Sequence, residues 1–184
     1  MKRCKWVNEK NKLYIKYHDK EWGISSHNDS YLFEMLILEC FQAGLSWECI
    51  LNKRESFRQA FDNFNYKKIA NYDDEKIQEL LNNKEIVRNK LKIKATINNA
   101  RIFIDIRKEY KTFDNYIWSF TKGKQVINTN DVFNTTSKLS DTISNDLKKR
   151  GMKFVGSTII YSYLQAIGII NDHELDCDFR VINK

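Results

Sequence analysis

KKRGMKFVGST, residues 148–158, contains the clearest structural signal in this chain. The preceding segment has apolar residues at helical spacing, Leu139, Ile143 and Leu147. A basic last turn followed by Gly151 is the usual way for a helix to end, since glycine accepts the left-handed conformation that the C-terminus requires. Gly156 then precedes a second, apolar helix that we expect to run to Gly168. The segment therefore predicts two helices joined by a tight hairpin at 148–158.

Two glycines five residues apart let the hairpin backbone turn and present free amides at the start of the second helix. Such amides form an anion site together with the positive end of the helix. Four basic residues surround it: Lys148, Lys149, Arg150 and Lys153. We expect this hairpin to hold a DNA backbone without reading its sequence. The alternative is an ordinary turn between helices with a glycine cap. A nucleotide-binding P-loop is excluded because Ser157 stands where that motif requires lysine.

Helical periodicity also dominates the rest of the chain, which predicts an all-α protein. Within residues 87–110 the apolar positions recur at helix spacing: Ile93, Ile97, Ala100 and Ile104. Asp73 or Asp74 is expected to cap a short helix through Leu81, and Ser46 to cap a helix over 47–53. The segment 124–129 is the only strand candidate.

The length of 184 residues and the formal charge of +7, with 31 basic residues, limit the class of protein. We expect one compact domain, 1–184, made of two helical lobes, because no repeat or low-complexity linker divides it. Polar residues interrupt the longest apolar stretch, 154–170, which makes it a buried helix and not a membrane span. The basic balance indicates an anionic partner, with nucleic acid as the leading candidate.

Four residues at opposite ends of the chain have the composition of a metal site. They are Cys4, His18, His173 and Cys177. Two thiolates and two imidazoles form the tetrahedral set that Zn²⁺ prefers when protein fills every position. A Cys4–Cys177 disulfide, or a Cys177 that is a bystander in a loose tail, is the alternative. No apolar signal segment follows Met1, so we expect a cytoplasmic protein in a reducing compartment, where disulfides do not persist.

Aromatic residues concentrate near Cys4 and His18, the two metal-site candidates at the N-terminal end. They are Trp6, Tyr14, Tyr17, Trp22 and Trp47. Rings at this density usually belong to the core. Residues 5–29 are otherwise polar and are expected to be irregular, which favours a pocket instead. A carboxylate at Glu39 lies on a nearby helix, and rings plus one carboxylate suit a flat, electron-poor heterocycle.

The segment 42–47, QAGLSW, predicts a helix end followed by a glycine-containing turn with Leu45 at its tip. An apolar residue on a tight turn beside a DNA-binding surface suits a wedge between base steps.

Taken together, these motifs resemble those of the 3-methyladenine DNA glycosylase I family, from Met1 to about Cys177. The matching segments are Trp6, 14–23, Leu38–Glu39, 42–47, 118–120, 148–158, 171–173 and Cys177. The resemblance implies a helix-hairpin-helix fold whose termini are joined by one structural zinc ion. It also implies a monomeric DNA repair enzyme that excises N3-methyladenine from alkylated double-stranded DNA.

Carried over position by position, the resemblance implies the role of each site residue. The zinc ligands are Cys4, His18, His173 and Cys177. Glu39 hydrogen-bonds the extruded base, Tyr17 and Trp47 sandwich it, and Trp6, Tyr14 and Trp22 line the pocket. Gln42 and Leu45 fill the gap left in the duplex. The hairpin holds the backbone through Gly151, Lys153, Gly156, Ser157 and Thr158.

Two positions depart from related hairpin glycosylases. Relatives that also cut the strand carry a lysine early in the second helix, where this chain has Ser157 and Thr158, so we expect no lyase activity. Asp172 lies near the place of a catalytic aspartate in such enzymes, but it adjoins His173. We therefore expect it to support the metal site or the backbone first. A non-catalytic DNA-binding module and a zinc hydrolase are the competing hypotheses, and four protein ligands count against the hydrolase.

Overall fold

A computed structural model describes residues 1–129, 132 and 134–180, and it is helical apart from one small strand pair. In chain order the elements are α1 (Lys12–Lys20), α2 (Asp29–Gln42), α3 (Trp47–Asn52), α4 (Arg54–Ala60), a 3-10 turn (Asp62–Phe64), α5 (Tyr66–Ile69), α6 (Asp74–Asn82), α7 (Lys90–Tyr110), α8 (Phe113–Ser119), β1 (Val126–Ile127), α9 (Lys138–Lys149), α10 (Ser157–Ala166) and β2 (Ile170–Asn171). The predicted helical class is confirmed. Within the described residues, no helix is both long and apolar enough to cross a membrane.

Helix α2 forms the centre of the molecule. Every residue from Leu32 to Phe41 is buried, including Glu39, so this helix is covered on all sides. Helices α10, α7, α8 and α3 pack around it. A carboxylate on such a helix lies in an apolar interior unless a cavity reaches it.

Several local predictions are confirmed. Ile93, Ile97 and Ala100 are buried on α7. The side chains of Asp73 and Ser46 accept hydrogen bonds from the first turns of α6 and α3. Helix α9 ends before Gly151, whose φ is +97°. Capping and periodicity are local properties, and this is why they could be read from the sequence.

Three local expectations are wrong or incomplete. Residues 5–29 are not irregular throughout, because they contain α1, whose N-cap Asn11 accepts from the backbone amides of Leu13 and Tyr14. The strand candidate 124–129 does contain β1, but its parallel partner β2 had no signal in the sequence. The helix after the hairpin ends at Ala166, two residues before the expected Gly168.

Candidate functional site

The Cys4, His18, His173 and Cys177 side chains converge in the interior, and we call them the terminal cluster. All four are buried, and their ligand atoms lie within 4.8 Å of one another. The Nδ1 atom of His173 is 3.5 Å from the Cys4 Sγ and 3.4 Å from the Cys177 Sγ. The Cys177 Sγ is 3.6 Å from His18 Nε2. Sulfur and nitrogen ligands at about 2.3 and 2.0 Å from one tetrahedral zinc lie about 3.5 Å apart, so the geometry fits that ion.

The alternatives for these cysteines do not match the structure. Cys4 and Cys177 are free thiols, so no disulfide joins them. Cys177 is buried against two imidazoles and is not part of a loose tail. Two hydrogen bonds between Lys2 and Asp178 close the same region: the Lys2 amide donates to Asp178 Oδ2 at 2.7 Å, and the Asp178 amide donates to the Lys2 carbonyl at 2.9 Å.

Each imidazole of the terminal cluster has one ring nitrogen anchored and the other facing the cluster. His18 Nδ1 lies 2.7 Å from Asp19 Oδ1, and Arg3 forms a bidentate contact with that carboxylate. His173 Nε2 lies 3.2 Å from the Trp22 carbonyl. Such partners set the tautomer and the orientation of metal-binding histidines. Burial lowers the pKa of His173 to about 4, so its ring is neutral and able to bind a metal ion.

A cavity of about 450 Å³ lies next to the terminal cluster. All the predicted ring residues and two predicted polar residues line it: Trp6, Tyr14, Tyr17, Trp22, Trp47, Glu39 and Gln42. The rings contact the terminal cluster directly, since the Trp6 and Trp22 centroids lie 5.3 and 6.0 Å from that of His18. The predicted pocket residues are therefore brought together.

Three buried polar atoms of residues that line this cavity have no hydrogen-bond partner among the described residues: Glu39 Oε2, Trp47 Nε1 and Asp172 Oδ1. Glu39 is only 2% exposed, and burial raises its pKa to about 8. Unpaired buried polar atoms cost free energy, so they are rare away from sites that bind a ligand. The cavity residues thus offer two acceptors, on Glu39 and Asp172, and one donor, on Trp47, to a ligand that fits between the rings.

The expected sandwich between Tyr17 and Trp47 is not preformed. Their ring centroids are 5.0 Å apart, and the ring planes are tilted by 49°. A base stacked between two rings needs parallel faces about 7 Å apart, twice a contact distance of about 3.5 Å. One of the two rings has to move before a base can enter between them.

The turn after α2, residues 42–45, which we call the wedge turn, has the predicted form. Gly44 adopts a φ of +81°, and the Leu45 amide closes the turn on the Gln42 carbonyl at 2.6 Å. Leu45 is 41% exposed at the tip of this turn. An exposed apolar tip next to the cavity matches the shape expected of a wedge.

The hairpin leaves the first amides of α10 free of side-chain caps, because its N-cap is Gly156. Lys153 and Thr158 are exposed at this end. The Ser157 hydroxyl donates to Asp141 Oδ1 at 2.5 Å, so it is already engaged.

One expectation about hairpin charge is wrong. The Arg150 guanidinium is not free to serve the anion site expected at the hairpin, because two carboxylates bind it. The Arg150 Nη1 lies 2.6 Å from Glu109 Oε2, and its Nε lies 2.7 Å from Asp146 Oδ2.

The structure also revises the role of Asp172. Its described contacts are with Tyr161 and Gln165, which donate to Oδ2 at 2.7 and 2.6 Å, while Oδ1 is buried without a partner. Asp172 lines the cavity, together with Ser162 and Gln165 of α10. The carboxylate that orients a terminal-cluster histidine is Asp19 instead. The sequence signal for this side of the cavity is the pair Ser162 and Gln165. These polar residues lie three apart in a mostly apolar helix, and residues at that spacing share one helix face.

Comparisons with known proteins agree with this geometry. Residues 6–181 match the family model described as methyladenine glycosylase. The chain is 42% identical to DNA-3-methyladenine glycosylase 1 of Escherichia coli K12, with 96% of each protein covered. It is 41% identical to DNA-3-methyladenine glycosylase of Haemophilus influenzae, with 95% of this chain and 96% of the relative covered.

Solved structures give the same result. A crystal structure of 3-methyladenine DNA glycosylase I superimposes with a TM-score of 0.92 at 42% identity, covering 96% of this chain and 98% of the other. A Staphylococcus aureus structure, described as the basis of 3-methyladenine recognition by that enzyme, has a TM-score of 0.94 at 31% identity. It covers 99% of this chain and 98% of its own.

Proposed function

This chain belongs to the methyladenine glycosylase family, and we propose from its cavity how it carries out that family's reaction. It is a DNA repair glycosylase, a hydrolase of N-glycosyl bonds that removes methyladenine from DNA. Our proposal is that its substrate is N3-methyladenine in alkylated double-stranded DNA, and that the product is an abasic site. The observation that carries this proposal is that Glu39 Oε2 and Trp47 Nε1 lack hydrogen-bond partners at the wall of an aromatic cavity.

N3-methylation makes the adenine in the nucleotide a cation and a good leaving group. The glycosidic electron pair leaves with the base as the C1′–N9 bond breaks, and water then adds to the cationic C1′ and releases a proton to solvent. Because the bond is already weak, the enzyme needs recognition and electrostatic support more than a strong nucleophile. Extrusion costs a few kcal/mol, least for a damaged base.

Glu39 is suited to recognise this base. An ionised Glu39 accepts from the exocyclic amine of the cation, and the cation in turn favours ionisation of the buried carboxylate. A neutral adenine offers no such compensation for burying the charge. We assign Glu39 to base binding and positioning in the reaction, with Tyr17 as the ring next to it that moves to stack on the base. Trp47 stacks on the opposite face, and the remaining wall is formed by Trp6, Tyr14 and Trp22.

The DNA contacts are assigned to the wedge turn and the hairpin. Gln42 and Leu45 fill the gap that the extruded nucleotide leaves in the duplex. The hairpin grips the backbone through its amides and through exposed Lys153, in a helix-hairpin-helix arrangement of α9 and α10. The proposed contact residues of the hairpin are Gly151, Lys153, Gly156, Ser157 and Thr158.

We propose a monofunctional enzyme without lyase activity. Ser157 and Thr158 occupy the start of α10, where a strand-cutting relative carries lysine. Lys5 does line the cavity, but it is exposed at the rim, and its Nζ is 3.8 Å from Glu174 Oε2. Borohydride trapping tests this point, because a Schiff base with the abasic site would be reduced to a covalent protein–DNA adduct. Any such adduct would refute the assignment.

The terminal cluster is proposed to hold one structural zinc ion, through Cys4, His18, His173 and Cys177. Four protein ligands leave no open position for water, so the ion would stabilise the fold and take no part in hydrolysis. Burial raises the pKa of the Cys4 thiol to about 12, and a bound cation would offset the cost of the buried thiolate. The ion would hold together the two ends of one domain, proposed to span 1–184 as two helical lobes and to act as a monomer in the cytoplasm.

A single assay tests the function. Purified protein is incubated with duplex DNA treated with a methylating agent, and free 3-methyladenine is measured by chromatography. We expect release well above the spontaneous rate, and little release by a Glu39→Gln variant that retains affinity for undamaged duplex. A non-catalytic DNA-binding module would bind the duplex and release nothing above background.

A further inference from the structure

Lys92 is a buried lysine that the proposed chemistry does not use. It lies in the first turn of α7, is 6% exposed and is not among the residues that line the cavity. A positive charge in the first turn opposes the dipole of its own helix, and burying an ammonium group is costly. Lys92 therefore does not stabilise α7, and its contacts elsewhere must account for its position.

Those contacts are with the end of α2. The Lys92 Nζ donates to the Phe41 carbonyl at 2.7 Å and to the Ala43 carbonyl at 2.6 Å. The Leu45 amide takes the carbonyl between them, that of Gln42. Helix α2 has no basic residue in its own last turn, so Lys92 supplies both the missing cap and the favourable charge.

The same ammonium group faces the hairpin. Its Nζ lies 6.0 Å from the ring centroid of Phe154, a residue held at a φ of +56°. Seven residues further along the same face of α7, Asn99 grips the neighbouring backbone: its Nδ2 donates to the Lys153 carbonyl, and its Oδ1 accepts from the Lys153 amide, each at 2.9 Å. Two turns of one helix thus connect the wedge turn to the hairpin.

We propose that Lys92 is a positioning residue that fixes the wedge turn relative to the hairpin, so that Leu45 enters the duplex at a set distance from the gripped backbone. This inference rests on the DNA contacts proposed above. If the wedge turn is displaced from the hairpin, Leu45 no longer inserts into the duplex, even when each segment keeps its own shape. Asn99 holds the hairpin side of the same connection.

The test measures wedge insertion without requiring excision. The DNA is a duplex that carries a stable tetrahydrofuran abasic analogue opposite 2-aminopurine, whose fluorescence rises when the base unstacks. At saturating protein we expect Lys92→Met to reduce the rise at least threefold. Lys94→Met is the matched control, because it removes an exposed charge from the same helix, and we expect it to retain the wild-type signal.

A double-mutant cycle distinguishes positioning from general loss of structure. If Lys92 acts through the wedge turn, Leu45→Ala and Lys92→Met together should lose no more signal than Leu45→Ala alone. Losses that multiply, or a wild-type signal from Lys92→Met, would overturn the proposal. If Lys92→Met fails to fold by circular dichroism, Phe154→Leu replaces it and should reduce the signal at least twofold. An unchanged signal from that folded variant would refute the connection to the hairpin.

The result is separable from the fate of the proposed function. A wild-type protein that unstacks 2-aminopurine but releases no 3-methyladenine would refute the excision chemistry and leave the role of Lys92 open to the same cycle. If 3-methyladenine is released but the losses of Leu45→Ala and Lys92→Met multiply in the double variant, the role of Lys92 is refuted and the proposed function is not.

Discussion

Replacement of Glu39 by glutamine should change how protein stability depends on pH. Glu39 is buried at the wall of the cavity, and burial raises its pKa from 4.5 to about 8. At 1.36 kcal/mol per pKa unit, this corresponds to about 5 kcal/mol. Between those two values the unfolded chain has lost the Glu39 proton while the folded chain keeps it. Stability therefore falls as pH rises from 4.5 to about 8, by up to about 1.4 kcal/mol per pH unit.

Glutamine has nearly the same shape but does not titrate, so the variant lacks this loss. Its free energy of unfolding relative to wild type should grow by roughly 4 kcal/mol between pH 5 and pH 8. Urea unfolding of both proteins at pH 5, 6.5 and 8 measures the difference. Titration of the terminal cluster affects both proteins alike and cancels in that difference. Parallel profiles would show that Glu39 titrates at its ordinary pKa and that water or a partner solvates it.

Three further predictions concern activity, DNA binding and the metal. If the ionised form of Glu39 binds the base, kcat/KM on methylated duplex should rise about tenfold per pH unit up to about pH 8 and then level. The Glu39→Gln variant should give a low, flat profile. A wild-type kcat/KM that falls over this range would contradict the assignment. Gly156→Glu should weaken duplex binding about tenfold at low salt and less at high salt. The control Gly156→Ala should bind like wild type, because a Cβ at this position meets nothing within 4 Å. Equal affinities of both variants across a salt titration would refute an anion site at the hairpin. Elemental analysis should find one zinc per chain of wild type and none in Cys4→Ser. The melting temperature of that variant should fall by roughly 6–12 °C, for a loss of about 3 kcal/mol in stability. A metal-free variant with the melting temperature of wild type would show that the ion is not needed for stability.

Local features were predictable from the sequence because neighbouring residues determine them. The burial of Ile93 and Ile97 follows from helical spacing, and the caps at Ser46 and Asp73 follow from side chains that bond the next turn. Helix α1 was missed for a physical reason. Its inward face carries the buried Tyr17 and His18 with half-buried Tyr14 and Ile15, so the face is short and largely aromatic and polar instead of a run of aliphatic residues.

Apart from the terminal cluster and the ring residues of the cavity, features that depend on distant partners were not predictable. Arg150 belongs to a basic run, but Glu109 lies 41 residues away in the chain and takes the guanidinium from the hairpin. Asp172 adjoins a terminal-cluster histidine in sequence, yet its side chain turns to Tyr161 and the cavity. The raised pKa of Glu39 depends on its burial by surrounding elements, which no spacing within α2 indicates.

The cavity lies between two fixed supports, and this arrangement bears on how the protein selects its base. On one side, Trp22 packs against His173 at 4.6 Å and Trp6 against His18 at 5.3 Å, so the terminal cluster holds the rings. On the other side, Lys92 holds the end of α2, one turn beyond Glu39. A pocket held from both sides loses little entropy on binding, because only the contact between Tyr17 and Trp47 has to open. On the proposed function, selection depends on what offsets the free energy of that opening and of ionising Glu39, and a cationic base supplies both stacking and charge.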